Sequence, residues 1–240
     1  MKEVSLSRRL ETIAGMVTPG SLPADVGCDH AHIPIWLIQK GRVKRVIAMD
    51  VAEGPLKMAA MNLEEYGAEG VELRQSDGLE KLEAGEADTL IIAGMGGALT
   101  RRILERDPEK VRSFDEIILG PQSEIPLLRK WLRESGFAFA EEKLVPEDGK
   151  YYPVMKLLPP GKEGRSAAGN KSACCPDDLA DWFGFRLLEK KDPVLIRMLE
   201  RNRRLLTGIL EGLDPDRHLD RIAEIRQELD RIRRAMEYMQ

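Results

Sequence analysis

Ala24-Asp25-Val26-Gly27-Cys28-Asp29-His30-Ala31-His32-Ile33-Pro34 is the stretch that decides the fold. An apolar run from Leu22 to Val26, with Pro23 at its start, stops at a glycine followed by Asp and His. A helical pattern begins at about Ile33, so the stretch reads as strand, tight turn and helix. Gly27 has no Cβ and the next helix opens with unpaired N–H groups, so such a turn brings bare backbone close to a ligand. Taken alone, the stretch also fits an ordinary strand-turn-helix of any α/β protein.

The acidic residues decide what kind of ligand fits. A dinucleotide site needs G-x-G-x-x-G to press against a pyrophosphate. Gly27-Cys28-Asp29-His30 lacks the second and third glycines. Asp25 and Asp29 would repel a pyrophosphate but suit a cationic ligand with an amino-acid end and a sulfonium. S-adenosylmethionine is such a ligand.

Working outward, Ser5 to Val17 places Leu6, Leu10, Ile13, Ala14 and Val17 on one helical face, leaving Arg8 and Arg9 as a solvated face or a phosphate contact. Val43 to Val51 is a second strand with Asp50 near its end, 25 residues beyond Asp25, about one β-α-β step. A carboxylate there accepts both ribose hydroxyls of an adenosine or caps the helix Gly54 to Glu65. Val71 to Arg74 leads into Ser76-Asp77-Gly78, either a plain turn or an acceptor for an adenine amino group. Thr89 to Ala93 runs into Gly94-Met95-Gly96-Gly97, whose glycines leave room for a flat base or a reactive methyl group. After helix Ala98 to Asp107 come strand Ile117 to Leu119, the turn Gly120-Pro121-Gln122-Ser123, helix Ile125 to Glu134, and a closing hairpin, Phe137 to Val145 and Tyr151 to Leu158. Alternating strand and helix implies a parallel sheet with right-handed crossovers and an antiparallel edge. Ligands in such sheets sit outside the C-terminal strand ends, where Asp25, Asp50, Asp77 and Gly94 all fall.

Residues 181–240 carry 13 Lys and Arg against 12 Asp and Glu, and residues 1–180 carry 24 against 29, for a net charge of −4. An acidic body argues against indiscriminate nucleic-acid binding while permitting a local basic face. Three cysteines, Cys28, Cys174 and Cys175, make no disulfide framework, which fits a reducing cytosol. No apolar signal region opens the chain and no 18 apolar residues run together, so a cytoplasmic protein without a membrane span is expected.

Residues 159–176, rich in Gly, Ser, Lys and Pro, read as a linker between a domain at 1–158 and a helical domain at 177–240. Three helical segments follow: Asp177 to Lys191, Pro193 to Leu213 and Pro215 to Gln240. In the last, Leu219, Ile222, Ile225, Leu229, Ile232, Met236 and Met239 recur at coiled-coil spacing. Gly212 and Asp214-Pro215 turn that stripe back onto Leu199, Leu206, Ile209 and Leu213 as a helical hairpin. Its many arginines form a solvated coiled coil or bind an elongated polyanion.

Asp25-Val26-Gly27-Cys28-Asp29-His30-Ala31-His32-Ile33-Pro34, Ser76-Asp77-Gly78-Leu79, Ala93-Gly94-Met95-Gly96-Gly97 and Glu147-Asp148-Gly149-Lys150-Tyr151-Tyr152 together resemble the bacterial tRNA (adenine-22-N1)-methyltransferases, the TrmK family. The likeness covers about residues 5–158 in motif order and, more loosely, the helical tail. Cys28 stands where that pattern has serine and Pro153 where it has an acidic residue. The resemblance implies a Rossmann-like class I methyltransferase sheet followed by a coiled-coil hairpin, S-adenosylmethionine as donor, and N1 of adenine 22 in the D-arm of tRNA as acceptor. Asp25, Gly27, Cys28, Asp29, His30, Asp50, Val51, Asp77, Gly78, Ala93, Gly94 and Met95 are then the candidate cofactor-binding residues. Arg8, Arg9, Gln122 and Tyr151 are the candidate substrate contacts.

The residues bear on the chemistry as well. The chain has no Asn/Asp-Pro-Pro-Tyr after the fourth strand to grip an exocyclic amine. Ring N1 carries an in-plane lone pair and needs little beyond alignment, which alone lowers a barrier by roughly 7–11 kcal/mol. Methylation leaves a charged ring, so a nearby carboxylate helps; Asp29 is the catalytic candidate, with cofactor binding as its alternative. N1 is occupied in a base pair, so the acceptor must be unpaired or flipped. Tyr151 and Tyr152 are the aromatic candidates to hold it, unless both are core. His30 orients substrate or caps the helix. One short turn rarely supplies three metal ligands, so Asp29, His30 and His32 are not expected to bind metal. An adenosyl-ligand-binding interaction protein acting through its coiled coil, or a small-molecule methyltransferase, remain the alternative functions. A monomer is expected, with weak dimerisation through the tail left open.

Overall fold

The computed structural model describes residues 2–162 and 175–240, which fall into two compact units divided between residues 170 and 171. Most of the segment read as a linker, with Cys174, lies outside the described residues.

The first unit contains α1 (Arg8–Met16), β1 (Pro23–Val26), α2 (His32–Gln39), β2 (Val46–Asp50), α3 (Glu53–Tyr66), β3 (Val71–Gln75), β4 (Thr89–Ala93), α4 (Gly97–Arg106), α5 (Pro108–Ser113), β5 (Glu116–Gly120), α6 (Ile125–Glu134), β6 (Ala138–Glu147) and β7 (Lys150–Leu158). The sheet order is β3-β2-β1-β4-β5-β7-β6. The first five strands are parallel and β7 enters antiparallel between β5 and β6.

Strands buried on both faces need apolar residues at every position, which is why Thr89 to Ala93 reads as a continuous run rather than an alternation. Leu90 and Ile92, with Ile117 and Leu119, pack toward Ile103 and Leu104 of α4 and Leu128 and Leu132 of α6. Ile91 and Ile118 point the other way, to Ile13 and Val17 at α1 and Ile33 and Leu37 of α2. The result is three layers. The chain leaves β1 outward to β2 and β3 and returns to the opposite side of β1 with β4, so the topological switch lies between the C-terminal ends of β1 and β4.

The elements depart from the sequence reading at several points, among them the start of the last helix, at Leu219 and not Pro215. The second strand starts at Val46, because Lys44 and Arg45 are exposed before it. Helix α5 was not anticipated; it is six residues long, with Pro108 in its first turn and the Asp107 carboxylate accepting from Lys110 N at 3.1 Å. In the second unit the segment from Asp177 divides at Gly184, whose φ of +91° no helix accommodates, into α7 (Asp177–Phe183) and α8 (Phe185–Glu189).

α9 (Pro193–Glu211) and α10 (Leu219–Tyr238) then form the hairpin. Lys191 Nζ donates to the carbonyl of Gln240 at 2.8 Å, so the start of one helix lies beside the end of the other. Ile222, Ile225, Ile232, Ala235 and Met239 are buried, as are Leu195, Leu199 and Leu206. Toward the turn the stripe opens: Leu219 is 69% exposed and Ile209 37%. Among the described residues, no helix is long and apolar enough to cross a membrane.

Candidate active site

The quoted stretch builds the floor of the site. Gly27 N and Cys28 N both donate to the carbonyl of Met49, at 2.8 and 2.9 Å, so the end of β2 clamps the turn after β1. Gly27 has φ +74°, and a Cβ there would collide with the end of the Met95 side chain. Asp29 (φ 51°) and Ala31 (φ 59°) are also left-handed. A non-glycine residue in that region costs on the order of 1–3 kcal/mol, and such strain gathers at ligand sites. Asn62 Nδ2 in α3 holds the turn from outside through the carbonyl of His30, at 2.9 Å.

Asp25 reaches the cavity from the middle of β4-β1-β2, 2% exposed, paired in register with Ala48 and Ile91. Among the described residues its side chain accepts no hydrogen bond. Burial, and then the charge of Asp50, push its carboxyl up to about 7. Asp50 is better satisfied: Oδ2 accepts from Asp29 N at 3.3 Å and Oδ1 from Ala52 N at 3.0 Å. Burial, then Asp25 and Asp50, raise the Cys28 thiol, which therefore stays neutral. His30 Nε2 lies 3.4 Å from Asp29 Oδ1, and its ring meets that of His32 edge-on at 5.8 Å. Burial, followed by His30, lowers the His32 pKa, which favours the uncharged ring.

The opposite wall comes from the ends of β4 and β5. Gly94 (φ +80°) donates to the carbonyl of Gly120 at 3.1 Å, and Gln122 N to that of Met95 at 2.9 Å. Gly96 and Gly97 do not serve to make room for a ligand, as the sequence reading had it. A Cβ on Gly97 would stand 2.8 Å from the carbonyl oxygen of Ser123, and one on Gly96 would stand 2.8 Å from Ser123 Oγ. Those two glycines let the loops after β4 and β5 touch, and Gly94 alone of the three faces the cavity.

Arg9 closes the site from α1. Its N–H donates to Glu147 Oε1 at 3.1 Å, its Nε lies 3.6 Å from Oε2, and its guanidinium covers the Tyr152 ring at 5.1 Å. The hydrogen bond from Arg9 N is the main reason the Glu147 carboxyl sits below the usual range. Nε and Nη1 of Arg9 are buried without hydrogen-bond acceptors.

Together these groups enclose a cavity of about 390 Å³. Of the candidates read from sequence, Asp25, Gly27, Cys28, Asp29, His30, Asp50, Ala93, Gly94, Met95, Arg9 and Gln122 line it. Val51, Asp77, Gly78, Arg8 and Tyr151 do not. Val51 and Arg8 are exposed, and Asp77 is engaged by Arg106, whose Nη1 lies 2.7 Å from Oδ2. Leu10, His32 and Ile33 line the cavity without having been named as cofactor or substrate contacts. His32 and Ile33 lie inside the quoted stretch, and Leu10 follows Arg9 on the inner face of α1. Among the described residues no group of three or more His, Cys, Asp or Glu could hold a metal ion.

The donor set suits a cationic adenosyl ligand. A buried carboxylate with no hydrogen-bond donor faces the cavity, a second carboxylate ends the neighbouring strand, and the floor is bare backbone at Gly27. A pyrophosphate would meet three carboxylates, Asp25, Asp29 and Asp50, against one guanidinium, Arg9, which already stands beside Glu147.

Comparison with known proteins agrees. The methyltransferase-domain family model matches residues 6–155. The tRNA (adenine(22)-N(1))-methyltransferase of Bacillus subtilis strain 168 is 38% identical over 156 residues, 65% of this chain and 66% of that protein, so the alignment spans just under two thirds of its length. The crystal structure of the B. subtilis m1A22 tRNA methyltransferase TrmK superposes with a TM-score of 0.79 at 27% identity, covering 99% of this chain and 100% of that one. M. capricolum TrmK in complex with S-adenosyl-homocysteine gives 0.78 at 26% identity, over 98% and 99%. The chain belongs to the methyltransferase-domain family and, within it, to the TrmK family.

Proposed function

We propose that this protein transfers a methyl group from S-adenosylmethionine to N1 of adenine 22 in the D-arm of tRNA, in the cytoplasm and as a monomer. The observation that carries the reading is Asp25, a buried, unpartnered carboxylate beside Asp50 at the switch point of the sheet. Residues 1–158 serve as the catalytic domain, 159–176 as the linker, and 177–240 as a helical domain whose hairpin packs as a coiled coil.

When bound, S-adenosylmethionine supplies an electrophilic methyl group on a cationic sulfur. Asp25 and Asp50 bind and orient that ligand, one from beneath and one at the end of β2, while Gly27, Cys28 and Met95 shape the wall against it. Ala93 and His30 complete its lining, and Val51, Asp77 and Gly78, which stand outside the cavity, would meet the ligand only beyond it. Ring N1 needs no general base, because it bears no proton to remove. The protein therefore works by alignment and by charge. Asp29, whose side chain is 75% exposed at the rim, offsets the positive charge that develops on the ring. Arg9, fixed by Glu147 and Tyr152, orients the incoming nucleotide together with Gln122, and Arg8 and Tyr151, outside the cavity, would contact the RNA only beyond it. No metal is required.

The test is incubation with S-adenosylmethionine and unmodified tRNA, followed by digestion to nucleosides and mass spectrometry. N1-methyladenosine is the expected product. Its absence while the cofactor still binds would overturn the reading.

A further inference from the structure

We propose that the groove between α7 and α10 is a second RNA contact, a site that stacks one base on Trp182 and holds its phosphate with Arg226 and Arg231. The proposal rests on tRNA being the substrate. The groove, about 490 Å³, lies wholly within the second unit and is lined by Asp178, Trp182, Arg226, Asp230, Arg231 and Arg234.

Its charges are not equivalent. Arg234 is held in a two-pronged pair with Asp178, at 2.8 and 3.0 Å, and Asp230 is taken by Arg233 at 2.7 Å. Among the described residues Arg226 and Arg231 carry no ion pair, although both lie in a helix that otherwise balances its arginines with acids. Arg231 lies 4.1 Å from the centroid of the Trp182 ring, and its Nε is buried without an acceptor. A guanidinium laid against an indole, with Nε buried and its terminal nitrogens without a carboxylate, is placed to receive an anionic oxygen at those nitrogens. Trp182 is itself 44% exposed, although Arg231 covers its ring. A flat π-face next to unpaired arginines is the equipment with which proteins hold an unpaired nucleotide, since every base has a face to stack and every linkage a phosphate. Arg226, Asp230 and Arg234 recur at helical spacing on α10, and both free guanidiniums line the one groove.

The experiment measures tRNA binding of the full chain by filter retention over a range of salt, with methyl transfer followed in parallel. Trp182→Ala is expected to weaken binding roughly tenfold without changing the salt slope. Trp182→Phe, which keeps a stacking face, restores most of it. Arg226→Ala weakens binding and lowers the slope of log Kd against log salt by about 0.7, the value for one phosphate of an unpaired strand. Affinity for S-adenosylmethionine and the helical circular dichroism signal stay as in the parent chain. Unchanged tRNA affinity in Trp182→Ala and Arg226→Ala, or no tRNA binding by the parent, overturns the proposal. Binding by the parent without methyl transfer would instead count against the catalytic reading, so the two failures are told apart.

Discussion

Protonation of Asp25 should control cofactor affinity. Its carboxyl is pushed up to about 7 by burial and by Asp50, from an ordinary value of 3.8. Between those values the folded chain holds a proton that the unfolded chain has lost. This group's contribution to stability is therefore complete below about pH 4 and is lost as pH rises through about 7, a change of about 4 kcal/mol for a shift of this size. A cationic ligand reverses the preference, because it binds the ionised carboxylate. Affinity should then rise with pH and level off above about 7, with Kd at pH 6 roughly tenfold weaker than at pH 8. Titration calorimetry at pH 6 in two buffers of different ionisation enthalpy should register release of nearly one proton per S-adenosylmethionine bound. Asp25→Asn, of the same shape but never charged, should bind weakly at every pH, lose the pH dependence, and melt higher than the parent at pH 8 without ligand. A flat Kd between pH 6 and pH 8, no proton release, or an unaltered pH profile in Asp25→Asn would refute the assignment.

Gly27→Ala forces a side chain into φ +74° and against Met95, so it should cost roughly 1–2 kcal/mol in stability and abolish measurable cofactor binding; melting and calorimetry read the two effects. Gly97→Ala lies outside the cavity lining, but its Cβ would press on the Ser123 and Glu124 carbonyl oxygens at 2.8 and 3.0 Å; a loss of about 1–3 kcal/mol in thermal or denaturant unfolding is expected. Asp77→Asn removes a surface pair with Arg106 that is worth at most about 1 kcal/mol. Unfolding should barely change, while a several-fold rise in the Kd for S-adenosylmethionine would support a cofactor role for Asp77 and an unchanged Kd would remove it from the site.

The layered fold was readable because each element obeyed its own rule. Thr89 to Ala93 had to be a doubly buried strand, and Ile125 to Glu134 an amphipathic helix between a turn and a glycine. The glycine-ended strand before Asp29 marked the site for the same local reason. What escaped were features decided by tertiary contact. Whether Gly96 and Gly97 face a ligand or another loop depends on the loop after β5, which lies more than 20 residues away in the chain. Asp77 looked like the third member of a row of strand-end acids, and only the return of α4 shows that Arg106 engages it. Arg9 and Glu147 are 138 residues apart, and nothing local pairs them. Helix α5 is too short to show a period, and Gly184 breaks a helical pattern that the flanking residues would have continued.

The most direct measurement is methyl transfer from labelled S-adenosylmethionine to a tRNA transcript with adenine at position 22 and to one with guanine there, the modified position being mapped by mass spectrometry of RNase fragments. The account predicts one N1-methyladenosine, at position 22, in the first transcript and no label in the second. Label at another position, or equal transfer to both transcripts, would contradict it.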